Sequence, residues 1–163
     1  MNMDLIRPID IADNLLHELY RQAREVYPFE CCGWLEGSWE ENVASVSRQC
    51  VNNQDAGNHP TASDRTAETA YVIEGSDLLE FNNKLDSSNP PVVIYHSHPN
   101  GKAYLSETDR QVATSPWGDG PSYPVQQLVI GIDGESVVEA ALFAWSDSQG
   151  EFVEILRYLG AEI

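Results

Sequence analysis

Cysteine is scarce in this chain, basic residues are far outnumbered by acidic ones, and no long apolar run occurs in its 163 residues. Each shortage excludes something. The only cysteines are Cys31, Cys32 and Cys50. An odd set with two adjacent members is not a disulfide framework, and no Cys-x-x-Cys pair is available to build a structural zinc site. That usage points to a reducing cytoplasm. No stretch approaches the roughly 18 apolar residues of a membrane span. The opening ten residues, with Asp4, Arg7 and Pro8, lack the apolar centre of a signal peptide. A soluble, unexported protein with no membrane partner is therefore expected. Nine Lys and Arg stand against 26 Asp and Glu, for a net charge of -17. Phosphate binding needs clustered cations, so nucleic acid is excluded and basic or neutral peptide partners are favoured. The acids Glu135, Glu139, Asp147, Glu151 and Glu154 interleave with apolar residues, as on solvated faces of ordinary elements.

What is present suits one domain over 1–163, long enough to bury roughly two-thirds of the surface its unfolded form exposes. Ile11, Leu15, Leu16, Leu19, Tyr20, Ala23 and Val26 recur at three- and four-residue spacing, predicting an amphipathic helix over 10–27 with Asp10 as its cap and Pro28 as its stop. Short strands are predicted over 32–35 and 43–49. The polar stretch 51–69 reads as a long loop, either a substrate-contacting flap or disorder. A strand over 71–73 leads to a helix opened by Ser76-Asp77, carrying Leu78, Leu79, Phe81 and Leu85 and ended by the Ser-Ser-Asn-Pro-Pro break. Val92-Val93-Ile94-Tyr95 suits a central strand buried on both faces. A short helix over 106–113, a Gly/Pro-rich loop over 115–124, strands over 127–132 and 137–145, and a strand or terminal helix over 152–159 complete an α/β fold.

The densest chemistry lies in Tyr95-His96-Ser97-His98-Pro99, followed by Ser106 and Asp109. On a strand the two-residue period puts His96 and His98 on one face, where both reach one ion. Two imidazoles and a carboxylate suit a divalent zinc with a fourth position open to water. Ser106-Glu107-Thr108-Asp109 also reads as a capping box, which needs no chemistry, and both readings are compatible. If Ser106 caps the helix, Asp109 falls in its first turn and its direction is fixed. His17, on the first helix, and His59, in the long loop, have no partner at ligand spacing and read as structural. Glu30 taken alone reads as a solvated surface acid.

His-Ser-His-Pro, six residues, Ser, two residues and Asp resembles the signature of the JAMM (MPN-plus) zinc metalloproteases, whose distant partner motif is a Glu just before Cys-Gly. The stretch Pro28-Phe29-Glu30-Cys31-Cys32-Gly33-Trp34-Leu35-Glu36-Gly37 supplies that partner about sixty-five residues upstream. The resemblance covers about 10–155 and implies a mixed central β-sheet flanked by helices, in the cytidine-deaminase-like layout. It implies one zinc ion (Zn2+) held by His96, His98 and Asp109. Glu30 is then the general base and Ser106 the donor to the developing oxyanion. The implied activity is that of a stand-alone prokaryotic peptidase or isopeptidase acting near the C-terminal Gly-Gly of a ubiquitin-like or sulfur-carrier protein. Tyr104-Leu105 departs from the relatives that carry proline immediately before the serine, so the loop over 99–105 is expected to have its own shape. A non-catalytic MPN-type interaction module, a metal hydrolase acting on a small molecule, and a RadC-like function, suggested by Pro99-Asn100-Gly101, stay as alternatives.

Overall fold

The computed structural model describes residues 5–51, 73 and 75–163. Its elements in chain order are β1 (Asp10–Ile11), α1 (Asp13–Val26), β2 (Cys32–Ser38), β3 (Val43–Cys50), α2 (Gly75–Lys84), β4 (Pro91–His98), α3 (Glu107–Ala113), β5 (Gln126–Ile132), β6 (Val137–Ser146) and β7 (Glu151–Ala161). The strands form one mixed sheet in the order β1-β3-β2-β4-β5-β6-β7. Two pairings are parallel, β1 with β3 and β4 with β5, and the others are antiparallel. The predicted mixed sheet flanked by helices is what the chain forms.

Every residue of β4 is buried, because the sheet is covered on both faces. Val93 and Tyr95 point into a core roofed by Leu15, Leu16, Leu19, Tyr20 and Ala23 of α1. Ile94, on the other side of the pleat, packs with Trp34, Phe81 and Val125 beneath α2. His96 and His98 continue the Ile94 face by the period of two. Ala103, Leu105 and Ala113 pack on Val129, Ala141, Phe143 and Trp145, which anchors α3 and the loop before it.

The structure corrects and sharpens the sequence reading at several places. Asp10 does not cap α1: it pairs with Val43 as part of β1, its N–H donates to the Asn42 carbonyl at 2.9 Å, and the cap position belongs to Ala12, which offers no side-chain bond. Long-range strand pairing overrode a local capping preference. The open choice over 152–159 resolves as strand, since β7 pairs antiparallel with β6 along its length. β2 runs on to Ser38, and α2 starts at Gly75, whose φ of 57° suits a residue without Cβ. Of the expected strand over 71–73, Tyr71 and Val72 lie outside the described residues and Ile73 belongs to no strand. Apart from Val51, the expected flap over 51–69 lies outside them too, with His59. Exposed His17 rests its ring against Tyr20 at 5.6 Å, in keeping with a structural part. All three cysteines are free and buried. Among the described residues, no helix is long and apolar enough to cross a membrane.

Candidate metal centre

The site forms where β4 ends, where β2 begins and where α3 starts. Pairing of Cys32 with His96 sets the register that brings Glu30, two residues upstream, beside the histidines. Ser97, whose side chain leaves β4 on the face opposite the imidazoles, fixes that approach: its Oγ accepts from the Cys31 N–H at 2.8 Å, while its own N–H donates to the Cys31 carbonyl at 3.1 Å. Ser97 was not singled out by its sequence. A polar residue between two ligand candidates, at a position facing the interior, was the available signal.

Ser106 caps α3 through a complete capping box. Its Oγ accepts from the Asp109 N–H at 3.1 Å, and Asp109 Oδ2 accepts from the Ser106 N–H at 3.0 Å. The cap aims Asp109 at β4. Asp109 Oδ2 lies 3.1 Å from His96 Nε2 and 3.1 Å from His98 Nε2, and the two nitrogens are 3.2 Å apart. Glu30 approaches from the other side: a carboxylate oxygen of Glu30 and ring nitrogens of His96 and His98 lie within 4.8 Å of one another. Glu30 is 4 % exposed and His96 fully buried, so Glu30 is not the solvated surface acid its isolated position suggests. Tyr104 closes the other flank, its half-exposed ring 4.8 Å from that of His98.

These donors fit a metal ion. Three atoms meet in a nearly equilateral triangle, and ligands held about 2.0 Å from a tetrahedral zinc lie about 3.3 Å apart. Three lone-pair donors facing one another repel unless a proton or a cation stands between them. The titration of the cluster reflects this. Burial pushes the Asp109 carboxyl up, but the charge of His96 and hydrogen bonds from both imidazoles outweigh it and hold Asp109 well below the usual carboxylate range. Burial pushes His96 down, yet Asp109 and then Glu30 raise it further, for a net rise. His98 ends lowered, because burial, aided by its positive neighbour His96, exceeds the help of Asp109 and the Lys102 main chain. Adjoining Cys31 is no nucleophile: burial pushes its thiol up to about 12, so it stays protonated at neutral pH.

Comparison with known proteins places the chain in a family. The profile for prokaryotic homologues of the JAB domain matches residues 12–145, and the chain belongs to that family. The CysO-cysteine peptidases of Mycobacterium tuberculosis and Mycobacterium bovis are 31 % identical over 107 residues, which is 65 % of this chain and 66 % of theirs. The aligned part thus spans just under two-thirds of those relatives. A solution structure from Desulfitobacterium hafniense superposes with a TM-score of 0.63 at 18 % identity, covering 88 % of this chain and 87 % of that one. Another from Salinibacter ruber gives 0.57 at 18 % identity over 89 % and 87 %. Both share the fold.

Proposed function

We propose that the chain is a zinc-dependent peptidase that hydrolyses an amide bond near the C-terminal Gly-Gly of a sulfur-carrier or ubiquitin-like protein. The observation that carries this reading is the convergence of His96, His98 and Asp109 on one point with a buried carboxylate, Glu30, beside it. His96, His98 and Asp109 hold the zinc, which when bound acidifies water and polarises the scissile carbonyl. Glu30 takes the proton of the attacking water and passes it to the leaving amine. Ser106 Oγ already accepts from the Asp109 N–H, so its own hydrogen is left to donate to the carbonyl oxygen as that oxygen gains negative charge. The cap holds the hydroxyl in place before substrate arrives.

The substrate class is supported by the relatives whose name is CysO-cysteine peptidase. A Gly-Gly tail, having no side chains, would lie extended beside the Tyr104 ring and bind through its main chain. A cytoplasmic setting belongs to the same reading, since the three thiols are free. The test combines metal analysis with turnover. The purified chain should carry about one zinc and release the C-terminal extension from a carrier protein whose Gly-Gly is joined by an amide to cysteine or a short peptide, read by mass spectrometry. An intact carrier with zinc bound and small amides cleaved would make the protein a small-molecule hydrolase. No zinc after loading would make it an interaction module.

A further inference from the structure

The loop between β4 and α3 is held from outside the site by a pair of charged residues on the sheet. Ala103, buried in the middle of that loop, is gripped at both main-chain groups. Its N–H donates to Glu139 Oε2 on β6 at 2.9 Å, and its carbonyl accepts from Arg157 Nη2 on β7 at 3.2 Å. The two gripping side chains are themselves joined, Arg157 Nη1 to Glu139 Oε2 at 2.9 Å. Glu154 steadies the guanidinium, accepting at 2.6 Å from Nη2 and 3.2 Å from Nε. Main chain, carboxylate and guanidinium thus close a ring. The Ala103 N–H, foremost, and Arg157 hold the Glu139 carboxyl below its ordinary range.

As a plain cross-strand ion pair this would matter little, because Arg157 and Glu139 are substantially exposed and such pairs contribute little. Its place in the loop gives it more. The next residue, Tyr104, puts its ring against His98, and Ser106, three residues on, starts the cap that aims Asp109. A second anchor lies upstream, where the Gly101 N–H donates to the Ile132 carbonyl at 3.0 Å. Gly131 has to be glycine there, since a Cβ would fall 2.6 Å from the Gly101 carbonyl oxygen. Between the histidine strand and the helix start, Ala103 is the residue whose two main-chain groups are both held by side chains of the sheet.

Resting on the metal-centre reading above, we propose that Glu139 and Arg157 are positioning residues for the zinc site, holding the loop so that Asp109 and the Tyr104 wall stay in register with His96 and His98. Arg157 lies beyond the segment matched by the family profile. Outer partners that orient metal ligands commonly change affinity by 10- to 100-fold when removed.

The test is zinc affinity by chelator competition, with the melting temperature of each variant beside it. Arg157→Ala should bind zinc about tenfold more weakly. Arg157→Lys, which keeps the charge and the stem should the alanine variant fold poorly, should weaken it similarly, because an ammonium lacks the planar fork that spans two acceptors. Lys84→Ala, which breaks a 2.8 Å ion pair with Glu36 beneath α2, controls for lost stability and should leave zinc affinity within about twofold. Unchanged affinity in both Arg157 variants overturns the proposal. So does a loss that Lys84→Ala reproduces at the same melting temperature. Failure of the wild type to bind zinc overturns the metal-centre reading itself, whereas zinc lost in His96→Ala but kept in both Arg157 variants overturns this inference alone.

Discussion

Two polar clusters sit against the same sheet, one beneath α2 and one beside α3, and they are built on opposite plans. Beneath α2 each acid meets a base: Arg48 reaches Asp77 at 2.8 Å and Glu80 at 3.2 Å, while Lys84 reaches Glu36 at 2.8 Å. Trp34 adds its indole N–H to Glu36 at 2.9 Å and its ring face to the Arg48 guanidinium. That cluster is complete as it stands and docks a helix. Beside α3, two imidazoles and a carboxylate turn their lone pairs toward one point with a second carboxylate adjacent. Such an arrangement is costly to build unless a cation completes it. Paired charge is thus one plan, and the convergence of several ligand-type atoms on one point is the other.

Four variants break or sharpen that contrast. His96→Ala should have the largest effect, taking zinc content from about one per chain to near zero by mass spectrometry while the fold survives by circular dichroism. Near-full zinc in this variant would remove His96 from the ligand set. Glu30→Gln should keep the zinc and lower kcat by about 10²- to 10⁴-fold, separating the second carboxylate from the ion-holding group. Retained turnover would end the assignment of Glu30 as base. Ser106→Ala should lower kcat by about 10²-fold and, through loss of the cap, cost about 1 kcal/mol of stability in denaturant titration. A stability loss with kcat unchanged would leave Ser106 only its cap. Lys84→Ala should do least, lowering stability by about 1 kcal/mol because the pair is partly exposed. Its turnover should match the wild type at saturating zinc, and a fall in kcat would erase the distinction between the clusters.

Much of the α3 cluster was legible because it is written locally. His96 and His98 share a strand face by period, and Ser106 with Asp109 is a box of four residues whose geometry the structure reproduces. The run at Val92-Val93-Ile94-Tyr95 announced the buried strand that carries the histidines, and the apolar stripe of α1 announced the helix that covers the opposite face of that strand. What escaped depends on residues far apart in the chain. Asp10 looks like a cap until Val43 pairs with it. Phe152, Ile155 and Tyr158 recur at the three-residue spacing of a helix, and only pairing with β6 makes the segment a strand. The grip of Glu139 and Arg157 on Ala103 joins positions 36 and 54 residues apart, which no local pattern encodes.

Parallel pairing of β4 with β5 forces the chain leaving His98 to cross back over the sheet before it can re-enter at Gln126. The first half of that crossover is pinned at Gly101 and Ala103 and carries Ser106 and Asp109. The second half, after Ala113, closes mainly on itself, through the Thr114 to Pro121 bridge and the Ser115 to Asp119 bond, and leaves Trp117 almost wholly exposed. Doubling the length of such a turn costs only about 0.6 kcal/mol. Evolution or an engineer can therefore lengthen, graft or replace the segment around Trp117 while the arrangement of His96, His98 and Asp109 upstream is inherited unaltered.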